Sequence, residues 1–317
     1  MIIDIHMHMG DILHRNGGKI VTQDVEMPNK FNIQRFEEDV LRFNSFNVTK
    51  YFFEKYDDLY TLSVQKRIKA GNIHNLYKYF DMLKAFSKKI FGDTDVKSIC
   101  MPVAPYVTFD NLYPITQQEP RLLTFTSINP DLSIKNACAE LYNSMDKCYG
   151  LKLHPIIQGI PFNSSFTYSA LDLFNGTGKP VLLHAGASRY YLGSEKAYQH
   201  CELDDPYAAR EMIKRYPQIP FIVGHAGIAE YQEWAELLKK CDNVYFDITV
   251  QSVSAIHKLI SLYGEDKMLF ATDWPCVNPK TTLGIAVKAL NDRQLEKCFY
   301  TETRLQSRHA FQYKISR

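Results

Sequence analysis

The chain has 317 residues, of which 45% are hydrophobic and 23% charged, and a formal net charge of +2. That is long enough for a large buried core and ordinary for a globular protein, and the near-neutral balance gives no electrostatic reason to expect a nucleic-acid or membrane partner. No apolar run reaches transmembrane length, and the seven cysteines are scattered and never spaced as CxxC, which points to free thiols and a cytoplasmic setting.

The first eight residues read MIIDIHMH. Ile2, Ile3 and Ile5 favour a strand, and Gly10-Asp11 stops it. First residues that read as a strand with polar inward positions are not expected to be a signal peptide. Strict alternation puts Asp4, His6 and His8 on one face and Ile3, Ile5 and Met7 on the other. Two imidazoles so placed can converge on a metal ion, or they can be a pair of histidines near a frayed end.

Residues 11–95 are rich in Phe, Tyr, Lys and Asn, and RFEEDVLRF and NLYKYFDMLKAFSKKIF have helical patterns. The segment reads as a helical insertion after the first strand, a flap over the barrel mouth. From residue 96 a rhythm sets in. Strand-like runs at 96–104, 121–130, 149–155, 180–186, 220–227, 243–249 and 267–275 alternate with helical stretches such as NACAELYNSM, PYAAREMIKRYP and IAEYQEWAELLKKC. With the first strand this makes eight strand–helix units. The fold class is α/β, a (β/α)8 TIM barrel, with residues 1–317 as a single domain.

In such a barrel the chemistry lies at the C-terminal ends of the strands. The fourth strand ends in Lys152 and His154. The fifth ends in His184 before Ala-Gly, the sixth in His225 before Ala-Gly, and the eighth in Asp273 before Trp-Pro. A lone histidine there is more often a core residue. His6, His8, His184, His225 and Asp273 at the ends of four strands together read as a metal site. Asp247 ends the seventh strand and reads as a hydrogen-bonding support. Asp4 is expected to orient a neighbour inside the barrel. Arg189, after His184, could bind an anionic group or lie in solvent.

The pieces DIHMH, GLKLHP, HAG, GHAG and FATDWP, taken as a set, resemble the amidohydrolase superfamily, and more narrowly its amidohydrolase-2 branch of hydrolases and decarboxylases. The resemblance spans all eight strands and is weakest over 11–95. It implies that His6, His8 and His184 bind a divalent ion, expected to be zinc, with Asp273 as a further ligand or as the base that handles the water proton. His225 would orient the water or polarise the substrate. Lys152 would either bind a substrate carboxylate or carbonyl, or carry CO2 as a carbamate bridging a second metal. His154 and Arg189 would line the substrate pocket. The stretch YTETRLQS, with Arg304, departs from the Asn-Ala-Arg-type motif common in this branch. Members are often dimers, so a homodimer is an expectation.

The first functional reading is a hydrolase that cleaves an amide, lactone or ester bond of a small molecule with metal-activated water. The alternative is a non-oxidative decarboxylase of an aromatic or unsaturated acid using the same ligands. A metal-dependent nuclease would call for a basic rim, which the net charge does not favour. A barrel without catalysis would have no need of the full ligand set.

Overall fold

The computed structural model describes residues 1–26 and 49–300. The helical pattern in RFEEDVLRF and the place of Arg304 lie outside the described residues. The strand segments are β1 Ile2–Met7, β2 Val96–Cys100, β3 Leu122–Thr124, β4 Thr126–Ser127, β5 Leu151–Leu153, β6 Val181–Leu183, β7 Phe221–Val223, β8 Val244–Asp247 and β9 Met268–Leu269. β3 and β4 are one strand interrupted at Phe125, whose N–H donates to Cys100 on one side while Thr126 N–H donates to Gly150 on the other. All neighbouring strands pair in parallel.

The ring closes between its last and first strands. Ile5 N–H donates to the Phe270 carbonyl (3.1 Å), Asp273 N–H donates to the His6 carbonyl (2.8 Å), and Met7 bridges Trp274. The result is the eight-stranded (β/α)8 barrel expected from the alternation. Ile3, Ile5, Ile99, Phe125, Leu182 and Ile222 fill its interior, and a second, larger apolar cluster lies between the strands and the outer helices. Among the described residues no helix is long and apolar enough to cross a membrane. All seven cysteines are free thiols.

The segment read as one insertion divides in two. Helix α1 spans Thr49–Ile68 and helix α2 spans Ile73–Phe91. Leu76, Tyr79, Phe80 and Leu83 of α2 are buried in the outer core. A parallel β1-to-β2 connection needs a crossover helix on the barrel wall, and α2 is that helix. The expectation that NLYKYFDMLKAFSKKIF belongs to a flap is therefore corrected. α1 instead meets the loop after β6, where Thr61 Oγ1 donates to the Arg189 carbonyl (3.3 Å) and Gln65 Nε2 to the Tyr190 carbonyl (2.8 Å).

A second correction concerns β1. Asp4 pairs with Ser98 but Met7 pairs with Cys100, so β1 holds one residue more than its partner across this stretch. Such a bulge flips every later side chain to the other face. Ile5 stays inside, and His6 and His8 join it inside. Asp4 points outward and accepts from Tyr79 Oη of α2 and from Thr272 Oγ1, each at 2.5 Å. Asp4 and His6 therefore do not share a face. Asp4 holds the site from behind, since its Oδ1 accepts from the N–H groups of His6 (3.1 Å) and Thr272 (3.0 Å).

Candidate functional site

Four strand ends deliver the central groups. His6 Nδ1–H donates to Asp247 Oδ2 at 2.8 Å, and His8 Nδ1–H donates to the Met101 carbonyl at 2.8 Å. Both carry their proton on Nδ1, so both Nε2 atoms keep lone pairs. These lone pairs converge: the two Nε2 atoms are 3.2 Å apart, and Asp273 Oδ1 lies 3.8 Å from that of His6 and 3.4 Å from that of His8. Lys152 Nζ, on the inner face of β5, is 3.2 Å from His6 Nε2 and fully buried.

His225 stacks on His6 with ring centroids 4.8 Å apart, and its Nδ1 is buried without a hydrogen-bond partner. His6, His225 and Asp273 each offer one ligand atom within 4.8 Å of the others. Two imidazole lone pairs, a carboxylate oxygen and an orphaned imidazole nitrogen facing one small space fit a divalent cation. His184 stands slightly apart. Its Nε2 is 3.1 Å from the Gly186 carbonyl, and its ring stacks on His154 at 4.1 Å and meets His225 edge-on at 5.2 Å.

Burial sets the protonation states. Desolvation pushes His6, His154, His184 and His225 well below the ordinary imidazole value, and takes His8 down to about 3. These rings are neutral ligand-type imidazoles at pH 7. Lys152 is lowered to about 8 by burial, against the pull of Asp273 and Asp247. The Asp273 carboxyl is raised by burial, against the opposing charge of Lys152.

The backbone is strained where it turns into the site. His225, Ala226, Ile228 and Asp273 have φ between 48° and 52°. Left-handed non-glycine residues cost free energy and gather where a site demands an unusual direction. Two glycines let the loops after β6 and β7 approach. A Cβ on Gly186 (φ 95°) would lie 2.5 Å from the Gly227 carbonyl carbon, and one on Gly227 (φ 87°) 2.5 Å from Trp234 Cδ1. Those glycines are the G of HAG and the last G of GHAG.

His154 caps the short helix α5, Pro155–Gln158, and its ring is buried beside His184. Arg189 is exposed, while the side chain of its neighbour Tyr190 reaches the histidines, with Oη 3.3 Å from His154 Nε2. Sequence reading passed over Tyr190, and also Arg67 of α1. Arg67 is only 2% exposed, and its charge reaches Asp273 and Cys276. The only signal for either was position, one beside Arg189 and the other near the end of a helix in the least family-like segment.

A protein-family model described as Amidohydrolase matches residues 114–302. No curated protein matches the chain. Among solved structures, the chain is similar to an uncharacterized TIM-barrel protein from Bordetella bronchiseptica (TM-score 0.63, 14% identity, 97% of this chain and 98% of that one covered). It is similar also to 2,6-dihydroxybenzoate decarboxylase from Rhizobium (TM-score 0.59, 12% identity, 96% and 98% covered). A third is 5-carboxyvanillate decarboxylase from Novosphingobium aromaticivorans, complexed with manganese and 4-hydroxy-3-methoxy-5-nitrobenzoic acid (TM-score 0.59, 14% identity, 96% of each covered). At these identities the structural likenesses speak to the barrel fold. The family match covers more than half of the sequence, starting within the first helix after β2, and on it the chain belongs to the amidohydrolase family.

Proposed function

We propose that the chain is a metal-dependent, non-oxidative decarboxylase of an aromatic or unsaturated carboxylic acid. Sequence reading put hydrolysis of an amide, lactone or ester first and decarboxylation second. The observation that supports the reverse order is the fully buried Lys152, whose Nζ lies 3.2 Å from His6 Nε2 among the candidate metal ligands. A buried ammonium favours anions around it, and a carboxylate substrate would add one to Asp273 and Asp247, whose charges already act on Lys152. The structural likeness to decarboxylases of hydroxylated benzoic acids points the same way.

His6, His8 and Asp273 would hold the ion, with His225 or His184 completing its shell; the manganese of the Novosphingobium protein makes manganese a candidate beside zinc. When bound, a divalent ion held there would supply positive charge for binding and polarising a substrate carboxylate. Lys152 would orient that carboxylate, and the charge of Arg67 would add to the positive field at Asp273. The Asp273 carboxyl, beside His6 and His8, would relay a proton to the carbon bearing the carboxylate. The bond from that carbon to the carboxylate then breaks, its electron pair returns to the π system, and CO2 leaves. Asp247 keeps His6 in the ligand tautomer throughout.

The test is CO2 release from a panel of hydroxybenzoates and unsaturated acids by manganese-loaded and zinc-loaded protein. Release that Asp273→Asn abolishes supports the reading. Turnover of esters or lactones, with no CO2 from any acid, returns hydrolysis to first place.

A further inference from the structure

Tyr190 belongs to the loop after β6, and three neighbours hold it in place. Its carbonyl accepts from Gln65 Nε2 of α1 at 2.8 Å, and its N–H donates to Gln199 Oε1 at 2.7 Å. Its ring stands edge-on to the rings of His154 and His184, with centroids 5.4 Å and 6.0 Å away. A loop side chain fixed from both sides of its own peptide is preorganised in the way a binding group needs to be.

The direction of its hydroxyl proton follows from His154. His154 Nδ1 accepts from the Ile157 N–H at 3.4 Å, the cap of α5. A nitrogen that accepts carries no proton, so the ring proton of His154 sits on Nε2. His154 Nε2–H then donates to Tyr190 Oη at 3.3 Å. Ser188 is a further hydrogen-bond partner of that oxygen. With its oxygen accepting from His154, the Tyr190 hydroxyl directs its proton away from His154, where Ser188 Oγ, itself donating to the Gly186 carbonyl at 3.5 Å, or a ligand oxygen can accept it.

We propose that Tyr190 is a specificity-determining residue whose hydroxyl, oriented by His154, donates to an oxygen of the substrate. The chemical class is a ligand with a carboxylate, carbonyl or phenolic oxygen facing the loop after β6. The assignment rests on the decarboxylase reading only for that class. The donor geometry stands without it.

The first test is binding of 2,6-dihydroxybenzoate to the manganese-loaded full chain by calorimetry, for the wild type and Tyr190→Phe. The variant removes one oxygen, and its melting temperature checks that it folds. Loss of a hydrogen bond to a charged group predicts binding about tenfold weaker or worse, with manganese affinity unchanged. Equal affinities, or no binding by the wild type at millimolar probe, overturn the proposal. A wild type that binds the probe but releases no CO2 refutes the decarboxylase reading and leaves Tyr190 judged by the affinity ratio alone. The second test needs no ligand: 15N-histidine NMR of the wild type must show His154 as the Nε2–H tautomer, and the Nδ1–H tautomer overturns the proposal.

Discussion

The Nε2 atoms of His6 and His8 face each other at 3.2 Å with a lone pair on each, because both Nδ1–H groups are spent on Asp247 and on the Met101 carbonyl. Two lone pairs that close repel, and a cation between them turns the repulsion into coordination. Lys152 Nζ, 3.2 Å from His6 Nε2, supplies one positive charge to this pair, and a bound ion would supply more.

Asp247 is the first lever on that arrangement. Asp247→Ala frees the His6 proton to move to Nε2 and removes the support that fixes the ring. Manganese affinity should fall by about ten- to a hundredfold while the fold is kept. Titration calorimetry checks this, and an unchanged affinity would show that the His6–Asp247 contact has no part in metal binding.

Glycine substitutions should separate by sign. Gly227→Ala must place a Cβ 2.5 Å from Trp234 at φ 87°, so it should destabilise by on the order of 2 kcal/mol or more and lower the melting temperature. Gly284 lies inside helix α10, Pro279–Ala289, with nothing within 4 Å of an added Cβ. Gly284→Ala should stabilise by roughly 0.5–1 kcal/mol. Thermal melts of the two variants would contradict the packing account if they shifted in the same direction.

Asp204 gives a pH dependence with a definite sign. It lies at the end of the loop after β6, and burial raises its carboxyl from 3.8 to about 8. Between those values the unfolded chain gives up a proton that the folded chain keeps, so this group's contribution to stability falls as pH rises, and levels off above about pH 8. Asp204→Asn lacks that loss. Its stability relative to wild type should therefore increase from pH 5 to pH 8 in urea denaturation, and a constant difference would refute the shift.

Arg67 should matter to ligand and not to metal. Arg67→Met keeps much of the buried stem and removes the charge. Benzoate should bind at least roughly tenfold more weakly, at unchanged manganese affinity. Unaltered benzoate binding would remove Arg67 from the site.

How far the fold could be read depended on periodicity. The strand ends carrying Lys152, His184, His225 and Asp273 were legible because each closes an apolar run before a turn, and barrel topology brings such ends to one face. The bulge in β1 was not legible. Alternation alone assigns Asp4 to the side of His6, and only pairing with β2 reveals the extra residue. The crossover role of α2 was hidden likewise, since an amphipathic helix reads the same on a barrel wall as in a flap. Arg189 drew notice through its charge, but backbone direction in the loop turns Tyr190 inward instead. The orientation of His184 Nε2 toward Gly186 is also a loop property beyond the reach of spacing.

The most direct test is the metal content of chelator-free protein by elemental analysis, for the wild type and His6→Ala, with and without bicarbonate. The account predicts about one divalent ion per chain in the wild type, indifferent to bicarbonate, and its loss in His6→Ala. About two ions, rising with bicarbonate, would instead mark Lys152 as a carbamate bridge. No ion in the wild type, even after reconstitution with manganese or zinc, would contradict the account and leave those histidines as buried core residues.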